Sequence, residues 1–136
     1  MKLKKTIKYK TVMQNIELMA PAGNFESLQA ALDNGADSIY FGVEQLNMRA
    51  RASINFTLDD LPKIVERCQA KNVRSYLTLN TIIYDHDLSI VKMLIKKAKE
   101  AKVTAVIAMD QAVIAVARQH ALEVHISTQI NITNIE

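Results

Sequence analysis

From residue 16 onward the chain alternates short strand-like runs with helical stretches, and no hairpin turn joins any two of the runs. Residues 16–20 (IELMA) read as a strand closed by Pro21-Ala22-Gly23. Asn24 then suits a helix N-cap, Phe25, Leu28, Ala31 and Leu32 recur at helical spacing, and Gly35 stops the helix. Residues 38–42 (SIYFG) give a second strand, followed by an aperiodic loop, VEQLNMRARASINF. Thr57 or Asp59 caps a helix with Leu61, Ile64, Val65 and Cys68 on one stripe, and Pro62 falls in its first turn. Residues 73–80 (VRSYLTLN) form a third strand. Asp85 or Asp87 caps a helix with Ile90, Val91, Leu94, Ile95 and Ala98 inward and lysines outward. Residues 105–109 are a fourth strand, Asp110 caps a short helix to His120, and residues 124–127 are a fifth strand.

Strict alternation without hairpins implies an α/β fold with a parallel sheet and right-handed crossovers. Two architectures fit: an open doubly wound sheet of five strands, or the first part of a (β/α) TIM-type barrel, which needs about 250 residues when whole. A sheet covered by helices on both faces has strands that are apolar throughout. Here Arg74, Tyr76, Thr78 and Asn80 alternate with Val73, Ser75, Leu77 and Leu79. Glu17 sits inside the first strand, and His125, Ser127 and Gln129 share a face of the last. A sheet with helices behind and a polar front matches a barrel lumen, so a partial barrel of about five strands is the expected fold. Its expected division is a basic arm over residues 1–15 and a truncated barrel segment over residues 16–136.

In either architecture the chemistry sits at the carboxyl ends of the strands. That rim offers Asn24, then Asn47, Arg49, Arg51 and Asn55, then Asn80 and Tyr84, then Asp110, and finally Thr128, Gln129 and Asn131. Asn24 and Asp110 are accounted for as helix caps. Arg49 and Arg51 stand in the irregular loop and can present planar forks to a carboxylate or phosphate. Hydrolytic signatures are missing: there is no H-E-x-x-H and no G-x-S-x-G. His125 and Ser127 are two apart on one strand face, about 7 Å, too far for a nucleophile–base hydrogen bond. Asp85-His86-Asp87 has metal-binding residue types, but capping explains it better. The turn PAGN lacks the glycines of a dinucleotide loop.

The single cysteine, Cys68, excludes a disulfide framework or a cysteine-based metal site built from this chain alone, and it lies on an apolar helix stripe. The net charge of +3 is unevenly placed. Lys2, Lys4, Lys5, Lys8 and Lys10 give residues 1–10 a charge of +5, leaving −2 for the other 126 residues. Such an arm is either a solvated terminus or a contact for a phosphate backbone. No apolar run reaches the roughly 20 residues of a membrane helix, and IELMA is too short for a signal-peptide core, so a cytoplasmic protein is expected.

Four segments in order, ELMAPAGNFESLQAALDNGADSIYFG, NMRARASINFTLDDL, YLTLNT and HISTQINITN, resemble the N-terminal half of the peptidase U-32 family, the collagenase-like peptidases. The likeness covers residues 16–134. It implies a β/α barrel and two competing activities: hydroxylation of a transfer-RNA uridine or ribosomal-RNA cytidine, or collagen-degrading peptidase activity. A non-catalytic binding or scaffold fragment is the third expectation. By resemblance the pocket residues are Arg49, Arg51, Asn80, Gln129 and Asn131, with no catalytic group assigned and no metal set. The family implies an iron–sulfur cluster and prephenate-linked chemistry, but its cluster cysteines lie in a later part, so no cofactor is expected on this chain. The implied partners are RNA or a peptide, with no membrane. A second copy or a partner chain would complete the barrel, since this length alone is an incomplete enzyme.

Overall fold

The computed structural model describes residues 16–43 and 56–134. Five parallel strands alternate with four helices: β1 (Met19–Ala22), α1 (Phe25–Asp33), β2 (Ser38–Phe41), α2 (Leu61–Ala70), β3 (Arg74–Leu79), α3 (Leu88–Glu100), β4 (Ala105–Ala108), α4 (Gln111–Gln119) and β5 (Glu123–Ile126). The strands lie in the order β1-β2-β3-β4-β5, each parallel to its neighbour. A doubly wound sheet reverses its strand order at a switch point, and no reversal occurs across these five strands. The expected α/β architecture of parallel β-α units is therefore present. The predicted arm over residues 1–15 lies outside the described residues.

Local chemistry fixes the helix ends as expected in two places. Asn24 Oδ1 accepts from Ser27 N at 2.7 Å while Ser27 Oγ accepts from Asn24 N at 3.2 Å, a reciprocal cap. Asp110 Oδ1 accepts from Ala112 N at 2.8 Å. The helix around residue 60 starts through a 3-10 turn, Leu58–Asp60, in which Thr57 N and Oγ1 both donate to Asp60 Oδ2 at 2.8 Å. Pro62 then sits in the first turn of α2. Three expectations need correcting. The first strand is Met19–Ala22, not residues 16–20, so Pro21 and Ala22 lie inside it and Glu17 precedes it. Asp87 occupies the N-cap position of α3, but its carboxylate accepts from Tyr84 N at 3.1 Å and caps no helical N–H. Ile90, expected inward, is 40% exposed, because the packed stripe of α3 is Val91, Leu94, Ile95 and Ala98.

Every helix ends the same way. Gly35, Asn72, Lys102 and Ala121 take positive φ of 82°, 57°, 63° and 50°. The next residue, always buried and apolar, donates its N–H five positions back: Ala36 to Ala31 O, Val73 to Cys68 O, Val103 to Ala98 O and Leu122 to Ala117 O. This is the Schellman motif, in which a left-handed residue lets the chain turn and satisfies orphan carbonyls. Four identical turns aim four strands in the same direction at the same spacing.

The register separates the two faces of the sheet, since successive side chains point oppositely. Ile39, Phe41, Leu77, Leu79, Val106 and Ala108 face the helices and join Leu28, Ile64, Val65, Cys68, Leu94, Ile95, Val113 and Ala117 in one core. Each fully buried aliphatic side chain there contributes about 1.5–3 kcal/mol. Phe56 packs edge-on against Phe25 (5.1 Å) and Phe41 (6.0 Å). It also bridges Val43, so the two ends of the intervening segment are anchored together at the carboxyl end of β2.

Candidate functional site at the sheet's polar face

Opposite the helices, aligned residues place Met19 and Pro21 of β1, Ser38 and Tyr40 of β2, Arg74, Tyr76 and Thr78 of β3, Ala105 and Ile107 of β4, and Glu123 and His125 of β5 on one face. Glu17, by the same alternation, lies on this face just before β1. Side chains from strands two apart meet here. The Tyr76 hydroxyl donates to Glu17 Oε1 at 3.0 Å, and an Arg74 guanidinium nitrogen lies 2.6 Å from Glu17 Oε2, both reaching across β2 at the small Ser38. The Tyr76 ring meets the His125 ring at 4.8 Å across β4, at the small Ala105. His125 Nε2 in turn lies 2.9 Å from Glu123 Oε1.

The Ser38 hydroxyl, then the Tyr76 phenol and the Arg74 guanidinium, hold the Glu17 carboxyl below the usual carboxylate range, against a desolvation that pushes it up. Ser38 Oγ favours the carboxylate by proximity, although it is buried without a hydrogen bond of full geometry. Burial, followed by the bond to the Glu17 carboxylate and that group's charge, raises the Tyr76 phenol.

The carboxyl rim is made of shorter side chains. Asn80 follows β3 directly and is half-buried. After β5 a 3-10 turn, Thr128–Ile130, gathers two more of the predicted residues. Ser127 Oγ accepts from Gln129 N at 3.3 Å, and Asn131, left-handed at φ 53°, donates Nδ2 to Gln129 O at 3.2 Å. An open groove of about 510 Å³ runs beside them, lined by Ile126, Ser127, Thr128, Ile130, Asn131 and Ile132 among others. Gln129 and Asn131 are thus brought together, and Asn80 stands at the same end of the sheet. Arg49 and Arg51 lie outside the described residues, in the segment whose ends are joined by Val43 and Phe56.

Asp110 does more than cap. Its second oxygen accepts from Ile83 N at 3.1 Å, tying the loop after β3 to the end of β4. Asp85-His86-Asp87 forms a turn, and no group of three potential metal ligands occurs among the described residues. Cys68 is buried on the core side of α2, where desolvation pushes its thiol up to about 11. It does not fit a cluster ligand, which must be a thiolate. The sequence marked Glu17, Arg74, Tyr76 and His125 as lumen-facing by alternation, but gave no sign that they would touch one another.

The family model of Peptidase family U32 matches residues 23–136. The chain belongs to this family. A collagenase of Porphyromonas gingivalis is 52% identical over 124 residues, covering 91% of this chain and 30% of that protein. A tRNA hydroxylation protein P of Helicobacter pylori is 34% identical over 125 residues, covering 90% and 30%. The U32 chain therefore spans about 30% of the length of these curated relatives. Among solved structures, the U32 peptidase Mk0906 superimposes with a TM-score of 0.66 at 13% identity, over 84% of this chain and 49% of that one, a likeness of fold. No helix among the described residues is long and apolar enough to cross a membrane.

Proposed function

We propose that this chain is the N-terminal part of a β/α barrel in an RNA-modifying enzyme, which hydroxylates a base of transfer or ribosomal RNA. The observation that carries the reading is the chemistry of the described carboxyl rim. His125 Nε2 lies on Glu123 and Ser127 Oγ bonds Gln129, so neither is seen as half of a nucleophile–base pair, and Asn80, Gln129 and Asn131 bring amide side chains to that end of the sheet. Amides and hydroxyls read the polar edges of an unstacked base. In this reading Arg49 and Arg51 meet phosphate, or the carboxylates of a prephenate-type acid, and Lys2–Lys10 add sequence-independent attraction. Any iron–sulfur cluster belongs to parts of a longer protein, since Cys68 is unsuited to it. The reading is in line with the tRNA hydroxylation name of the Helicobacter relative and with a cytoplasmic location.

The 136-residue chain should retard a labelled transfer RNA, with affinity falling steeply as salt rises. A flat response at low ionic strength sinks the proposal. The 52% identity to a protein named collagenase favours a second reading, a collagenase-like endopeptidase. Gelatin cleavage by the purified chain, abolished by substituting rim residues, would establish that reading instead. A non-catalytic scaffold that completes its barrel with a second copy or a partner chain predicts neither response.

A further inference from the structure

The loop between β3 and α3 presents an aromatic surface that the rim chemistry above does not use. Tyr84 and His86 stack with ring planes 1° apart and centroids 5.8 Å apart. Tyr84 is 61% exposed, the His86 side chain 80%, and the neighbouring Ile82 61%. Exposed side chains usually move, but the backbone beneath these is held from both sides. Ile83 N donates to Asp110 Oδ2, Tyr84 N to Asp87 Oδ2, and Asp87 N to Tyr84 O at 2.8 Å. The loop leaves β3 at Asn80, so the stacked pair stands on the carboxyl rim. A stacked, solvent-facing π pair on a fixed backbone there lowers the entropy cost of binding a second flat group.

We propose that the Tyr84–His86 pair is a stacking platform for an unpaired base of the RNA, flanking the one held by Asn80, Gln129 and Asn131. The inference rests on the RNA reading above and names the residues that make the contact. Charge fixes how the nucleotide approaches. Asp85 is exposed beside the pair and repels phosphate, so the base face, not the backbone, meets the rings. Proline rings of a collagen-like chain also pack on tyrosine, but they seat in grooves between aromatic side chains. This surface is one exposed stacked pair on a single loop, which favours a base.

The test is the affinity of the 136-residue chain for a short fluorescein-labelled single-stranded RNA at low ionic strength. Tyr84→Ala should weaken binding by at least about fivefold, since a base–aromatic stack is lost. His86→Ala should weaken it less, and Tyr84→Trp should restore or tighten it. The Tyr84 main chain, not its ring, makes the bonds that hold the turn, so these variants keep the fold; circular dichroism checks this. Wild-type binding with Tyr84→Ala within twofold of it overturns the platform and leaves the RNA reading standing. No wild-type binding overturns both. A proline-rich collagen-like peptide that displaces the RNA, and whose own binding depends on Tyr84, assigns the surface to peptide and also overturns the proposal.

Discussion

Tyr76 links distant parts of the sheet, its hydroxyl donating to Glu17 and its ring resting against His125. Strand alternation placed it on the polar face together with Arg74, Thr78 and Asn80, because a period of two leaves no other choice. Its contacts with Glu17 and His125 were not legible, since one precedes β1 and the other lies in β5, each two places away from β3, and they meet it only through the shape of the sheet. Tyr76→Phe keeps the ring and removes the donor to a carboxylate, which should cost about 1–2 kcal/mol in urea unfolding. The pH dependence follows from Glu17, whose folded value lies below its ordinary 4.5. A depressed carboxylate stabilises the fold above the ordinary value, and that contribution disappears as pH falls through the depressed one. Unfolding midpoints measured from neutral pH down to about pH 3 should therefore show a shallower acid loss in Glu17→Gln than in the parent. Equal slopes would remove Glu17 from the acid transition.

At the scale of elements, the caps Asn24 and Asp110 and the buried stripe Leu61, Ile64, Val65 and Cys68 were legible, because each depends on residues within one or two turns. The end of α4 at His120 was legible, but a left-handed stop residue was legible only at Gly35. Asn72, Lys102 and Ala121 take the same left-handed conformation without glycine's freedom, so the demand comes from the strand that follows and not from the turn residue itself. A left-handed alanine carries a steric cost of roughly 1 kcal/mol that glycine escapes. Ala121→Gly should raise the thermal midpoint slightly, corresponding to a gain of up to about 0.6 kcal/mol after glycine's larger unfolded-state entropy is subtracted. The reverse change, Gly35→Ala at φ 82°, meets no neighbour within 4 Å and should lose a similar amount through backbone strain alone. A midpoint unmoved in Ala121→Gly would mean that the turn is held open by its contacts, such as Lys99 Nζ to Ala121 O at 2.6 Å.

For the whole molecule, the decisive question is curvature. In a β/α barrel the interior is filled in layers, each supplied by alternate strands. The same rule describes the contacts seen here. Glu17 before β1, Arg74 and Tyr76 of β3, and Glu123 and His125 of β5 supply the large side chains, while β2 and β4 contribute the small Ser38 and Ala105 beneath them. Ala105 is 0% exposed although helices cover only the other face, because Tyr76 and His125 close over it. The sequential strand order supplies the matching topology. Ala105→Leu separates the two geometries. If Tyr76 and His125 could swing aside into open solvent, as over a flat sheet, the added methylenes would change stability by little. Beneath a concave layer they must push apart Tyr76 and His125, an overpacking that costs about 1–3 kcal/mol. Denaturant unfolding of Ala105→Leu, alongside Ile126→Leu at the exposed edge of β5 as a control, reads the difference directly. A loss confined to the Ala105 variant is the expected result, and two neutral variants would flatten the sheet.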